Sequence, residues 1–225
     1  MRALVFDAGS VISLTLNNLL WILEPLKKKF QGDFFITPSV KEELFDKPIQ
    51  TKKFKFEAIQ VKELTDKKIL EILDEKKELS DMTNRLSFYA NNSFQAWGSY
   101  IKIVHEGEIQ SLALTKIRDA DALVVDERNV RMLIEDPESL AAMMKKRLHT
   151  YIRVDKENIK KFQQMVQGIK IIRSIELVAI AYEVGMFEKY GVEKKEVLDA
   201  VLWGVKLKGC SVSEEEIDQI FTLER

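Results

Sequence analysis

Two short stretches of the chain, residues 3–6 and 122–125, are apolar without interruption, and each stops at an aspartate, Asp7 and Asp126. A continuous apolar run of about four residues is the pattern of a strand buried on both faces, the habit of parallel sheets covered by helices. After Asp7, Gly9 and Ser10 allow a turn. Leu19, Ile22, Leu23 and Leu26 then recur at helical spacing and predict a helix over residues 16–30. Residues 34–37 predict a second strand. Beyond Pro38, the series Ser39, Val40, Lys41, Glu42 has the form of a capping box and predicts a helix running through Glu43, Leu44 and Phe45.

Residues 54–61 alternate loosely and predict a third strand, with a charged helix over 65–79. Residues 84–100 mix aromatics, Asn and Ser without a clean period and read as a helical or irregular insertion. Ile109, Leu112, Ala113 and Ile117 restore a helical stripe over 108–117. The remainder reads as helices at 130–134, 138–148, 157–165, a mostly apolar 169–184, and 194–206. A last helix follows Ser213, where Ser213 to Glu216 offers a second capping box. The fold class is therefore α/β: a central parallel sheet flanked by helices, with helical insertions and a helical C-terminal extension.

Composition narrows the picture. At 225 residues the chain sits near the upper end of what one core supports, which predicts one domain with an appendage. Cys210 is the only cysteine, so no internal disulfide forms. Two histidines without nearby cysteines make no zinc site of the usual kind. The first sixteen residues do not resemble a secretory signal and no apolar run reaches membrane-spanning length. The expected setting is the cytoplasm, with no membrane partner. A net charge of −1 argues against indiscriminate nucleic-acid coating. The lysine runs at 27–29, at Lys52, Lys53 and Lys55, and at Lys145, Lys146 and Arg147 read first as solvated helix faces.

Open parallel sheets bind ligands just beyond the carboxyl ends of their strands, which is where Asp7 and Asp126 would stand. Each also fits a plain turn or helix cap. Glu43 borders the apolar face of its short helix and can point to the same rim, whereas Glu42 is better explained as the capping partner of Ser39. Glu108 opens a helix, where the dipole favours a carboxylate whatever its function.

In order and setting these four acids resemble those of the PIN domain family. The stretches that carry the likeness are VFDAGSVISL at 5–14, TPSVKEEL at 37–44, HEGEIQSLALTK at 105–116 and ALVVDERNVR at 122–131, with IRSIELVAIAYEVG from 172 similar to the family's closing helix. The resemblance implies a PIN-like nuclease domain over 1–189, with the helical extension at 190–225 packed on it. It implies a metal-dependent endoribonuclease in which Asp7, Glu43, Glu108 and Asp126 are catalytic and metal-binding. Water would attack an RNA phosphodiester in line. Clustered carboxylates raise one another's pKa unless a divalent cation neutralises them, and an all-oxygen set favours Mg²⁺ or Mn²⁺. Family roles are compatible with a homodimer and with an antitoxin or RNA-processing partner.

Around this set, Arg128 and Arg131 can clamp a substrate phosphate or serve as ordinary surface arginines. Trp97, Tyr89, Phe88 and Phe94 can stack unpaired bases, though core packing is the commoner use of such residues. His105 reads as structural. Glu106 and Asp121 are substitutes for members of the acidic set. Ala8 stands where many family members carry a hydroxyl, so Ser10 is a weak candidate for the metal shell. Two other readings compete: a PIN-like RNA-binding or assembly factor that no longer cuts, and a phosphatase using a strand-end Asp. The latter lacks its usual second Asp, since Gly9 occupies that position.

Overall fold

A computed structural model describes residues 2–191 and 194–223. In chain order the elements are β1 (Ala3–Phe6), α1 (Ala8–Leu16), α2 (Leu23–Phe30), β2 (Asp33–Ile36), α3 (Pro38–Lys41), α4 (Lys55–Asp66), β3 (Glu71–Ile72), α5 (Lys76–Asn91), β4 (Phe94–Ala96), β5 (Ser99–Tyr100), α6 (Glu106–Ile117) and β6 (Ala122–Val124). They continue with α7 (Arg128–Glu135), α8 (Pro137–Leu148), β7 (Arg153–Val154), α9 (Lys156–Val166), β8 (Ile171–Ile172), α10 (Ser174–Glu183), α11 (Lys194–Leu207) and α12 (Glu214–Leu223).

Five strands form the central sheet in the order β3-β2-β1-β6-β8, and every pairing is parallel. The two apolar runs lie at its centre as neighbours, with Phe6 opposite Val124. Their continuity follows from burial on both faces: Leu4, Phe6, Ala122 and Val124 enter one hydrophobic cluster, Val5, Leu123 and Val125 the other. Because the strand order reverses direction between β1 and β6, that gap is the topological switch point where open α/β sheets place their ligands. The helices beyond residue 190 add Leu198, Leu202, Val205 and Ile217 to the first cluster. Among the described residues no helix is long and apolar enough to cross a membrane.

Several local expectations are overturned. Helix α1 starts directly at Ala8, so Gly9 and Ser10 lie inside a helix, and the predicted helix over 16–30 shrinks to α2 after a short 3-10 turn. Residues 55–61 belong to helix α4, with Phe54 at its N-cap. The alternation of Phe54, Phe56 and Ala58 misled, because Phe54 and Phe56 are exposed while Ala58, Val61 and Leu64 make the buried helical stripe. The Ser39 capping box is absent: Thr37 is the N-cap, its Oγ1 accepting from the Val40 N–H at 3.3 Å, and Glu42 pairs with Lys47 at 3.2 Å. Edge strands β3 and β8 interrupt the helices expected over 65–79 and 169–184; each is two residues long, too short to leave a period.

The insertion is organised too. After α5 the chain forms a second, antiparallel sheet in the order β5-β4-β7, turning at Trp97 and Gly98, both at positive φ. The Ser213 capping box is present, with Glu216 Oε2 accepting from the Ser213 N–H at 2.8 Å and Ser213 Oγ from the Glu216 N–H at 3.1 Å.

Candidate acidic site at the sheet rim

Asp7 ends β1 and caps α1. Its N–H donates to the Val124 carbonyl at 2.9 Å, and its Oδ2 accepts from the Gly9 N–H at 3.0 Å. This fixes a carboxylate, 4% exposed, at the switch point. Ser10 is wholly buried; its Oγ donates to the carbonyls of Asp7 and Val124, tying α1 to β6. Its role is structural.

Glu43 reaches the rim because the helix after Thr37 widens into a π-helical turn over Glu42–Asp46. Such turns reorient side chains and recur at functional sites. Glu43 lies against the first turn of α6, where Gly107 makes room: a Cβ there would stand 2.8 Å from Glu43 Oε1. Glu108 follows in the same turn, its Oε2 accepting from the His105 N–H at 2.8 Å. His105 is thus the N-cap position of α6.

These three acids feel one another. Burial pushes the Asp7 carboxyl up to about 7, reinforced by Glu108 and Glu43 and opposed by the Gly9 N–H. Burial likewise pushes Glu108 up to about 7, helped by Glu127 and Glu43, against the His105 N–H and Lys102. Glu43 is raised by burial, with Lys47 and His105 pulling the other way. Glu127, which neighbours Glu108 and caps α7, was not singled out from the sequence; its place directly after Asp126 was the available signal.

Asp126 stands apart. It lies on the adjacent strand end, but its Oδ1 accepts from the Ser174 N–H at 2.7 Å and its Oδ2 from the Ser174 hydroxyl at 2.6 Å, both buried. It therefore holds the start of α10. Of the two substitutes, Glu106 is exposed on the first turn of α6, its Oε1 accepting from Gln110 at 3.4 Å. Asp121 is at the opposite, amino end of β6, bonded to the Ala3 N–H at 2.8 Å, and so is remote from the rim. Arg128 is exposed at the start of α7, while Arg131 Nη2 donates to the Ser211 carbonyl at 2.8 Å. Among the aromatics, Phe94 is core, whereas Phe88 and Trp97 are exposed.

Among the described residues no group of three or more acidic, His or Cys side chains is placed to hold a metal ion as the side chains stand. The donor chemistry nonetheless suits a hard divalent cation: three carboxylates drawn together at the edge of a buried site, two with protonation shifted toward neutral pH, gain most from a bound positive charge.

This arrangement fixes a pH dependence. Asp7 and Glu108 keep protons when folded that they lose when unfolded near their ordinary pKa of about 4. Between about pH 4 and 7 the folded state binds more protons, so metal-free stability falls as pH rises through this window. The stabilisation is fully present below the unfolded pKa and gone above the folded one. In EDTA the denaturation midpoint should be higher at pH 5.5 than at pH 8; a midpoint that climbs over that interval would contradict the raised carboxyls.

The sequence matches no family model, no curated protein and no solved structure, so the chemistry assigned to the site rests on these residues and their geometry.

Proposed function

We propose that this chain is a PIN-like, metal-dependent endoribonuclease acting at the β1/β6 switch point. The observation that carries the reading is the gathering of Asp7, Glu43 and Glu108 from three separate elements at that point, with Asp7 and Glu108 raised to about 7. Such shifts cluster where carboxylates hold a cation or move a proton. The order of the acids along the chain and the parallel sheet agree with the family resemblance.

In this reading Asp7, Glu43 and Glu108 hold Mg²⁺ or Mn²⁺. The bound cation would supply charge neutralisation at the scissile phosphate and a lowered pKa for water. The chain's own contribution is positional. Asp7 is fixed by the Gly9 N–H and the β1 terminus, Glu43 by the π-helical turn and the space above Gly107, and Glu108 by the His105 N–H. Arg128, exposed beside the rim, can take a substrate phosphate. Arg131, bonded to Ser211, instead holds the segment before α12. Asp126 acts as a positioning residue through Ser174, keeping α10 against the site.

A second reading, a non-cutting RNA-binding or assembly factor, is favoured by one observation: both oxygens of Asp126 are occupied by Ser174. Incubation of the purified protein with single-stranded RNAs separates the two. Internal cleavage with Mn²⁺ that stops with EDTA is expected. Binding without any metal-dependent cut, across varied RNAs, would decide for the scaffold.

A further inference from the structure

The antiparallel sheet of the insertion presents one regular outer face. Phe94 and Ala96 of β4 are buried, so Gln95 between them points outward, and its register partners Tyr100 on β5 and Arg153 on β7 share its face. The alternation continues past the strand ends. Ile152 and Ile103 are buried, while Tyr151 and Lys102 beside them are exposed. Trp97 stands at the hairpin tip. Three large rings are left to solvent on this sheet and its approach: Trp97 at 73% exposure, Tyr100 at 50% and Tyr151 at 76%.

Charge on the same face is positive. Lys102, Arg153 and Lys156 are exposed around the rings, and Lys145 and Lys146 line the hollow beside Tyr151. The acid among them, Asp155, is engaged in capping α9, its Oδ1 accepting from the N–H groups of Glu157 and Asn158 at 3.1 and 3.0 Å. Rings interleaved with cations are what a single strand of nucleic acid needs. Each unpaired base offers a face to stack and each phosphate a charge to pair. Same-face residues along a strand recur about every 6.6 Å, on the scale of one extended nucleotide.

We propose that this outer face, from Tyr151 and Arg153 across Gln95 and Trp97 to Tyr100 and Lys102, binds single-stranded RNA and leads it to the acidic site. The direction comes from the chain itself: Lys102, at the end of this face, runs directly on into α6, whose first turn carries Glu108. The destination rests on the nuclease reading; the binding itself does not. Stacking on exposed rings requires unpaired bases, so a perfect duplex is a poor ligand for this face.

The test is fluorescence anisotropy with a short labelled single-stranded RNA in EDTA, where nothing is cut. Wild type is compared with a Trp97→Ala/Tyr100→Ala variant and a Lys102→Gln/Arg153→Gln variant, whose exposed positions should leave the melting temperature unchanged. Loss of the two rings should weaken binding about tenfold or more. Loss of the two cations should flatten the dependence of log affinity on log salt by roughly 1.4. Wild-type affinity in both variants, equal affinity for a duplex, or no RNA binding by wild type would overturn the proposal. The two readings fail separately. If these shifts appear but Mn²⁺ produces no cut, the nuclease reading falls and the binding face stands; if Mn²⁺-dependent cleavage proceeds with unchanged KM in both variants, the face falls and the nuclease stands.

Discussion

Asp7→Asn is expected to lower Mn²⁺-dependent RNA cleavage by about 10²–10⁴-fold, the scale on which a bound cation's several kcal/mol act on a phosphoryl transition state. The same change should stabilise the metal-free protein at pH 8. Ionising a buried carboxyl raised from 3.8 to about 7 costs on the order of 4 kcal/mol relative to the unfolded chain. The amide oxygen can still accept from the Gly9 N–H, so the cap of α1 survives while the charge goes. Mn²⁺ should then raise the melting temperature of wild type far more than that of the variant, since a ligand stabilises by its affinity for the folded state alone. Paired melts in EDTA and in excess Mn²⁺, with cleavage assays on the same preparations, check both halves. A variant that melts well below wild type in EDTA and cuts as well would make Asp7 only a helix cap.

Asp126→Ala should do the opposite to stability, destabilising by about 2–4 kcal/mol, because it strands a buried N–H and a buried hydroxyl of Ser174. The loss spreads, since α10 carries Val178 and Ala181 into the main cluster, where Leu198 and Leu202 of α11 also pack. Asp126→Asn keeps an acceptor for the Ser174 N–H and should lose less. Simple mutual repulsion among four acids leads to a different expectation, an unchanged or slightly more stable variant. The Ser174 bonds reverse it. Urea midpoints for the three proteins decide the matter, and an Asp126→Ala variant within about 0.5 kcal/mol of wild type would leave the Ser174 bonds without energetic weight.

What the sequence discloses follows from how far each interaction reaches along the chain. Strands β1 and β6 are legible because burial on both faces forces an unbroken apolar run, and the aspartates that end them mark the rim. The Ser213 cap is legible because all its partners lie within one turn. Thr37 and Ser39 compete for the same cap, and Pro38, which suits the first helical position, settles it in favour of Thr37. The two-residue strands β3 and β8 exist only because β2 and β6 offer them a partner, so no local pattern announces them. Asp126 and Ser174 are 48 residues apart, and no periodicity connects them. Asp7, Glu43 and Glu108 stand out by their setting, but which carboxylates influence one another depends on the π-helical turn and on Gly107, which only the folded chain reveals.

In the proposed function Asp7, Glu43 and Glu108 hold one divalent cation at the β1/β6 switch point. Anomalous diffraction from crystals soaked in Mn²⁺ tests it most directly. A strong peak is expected at ligand distance from carboxylate oxygens of all three, with Asp126 still bonded to Ser174. A peak bound elsewhere, or none at these carboxylates at saturating Mn²⁺ and pH 8, would contradict it.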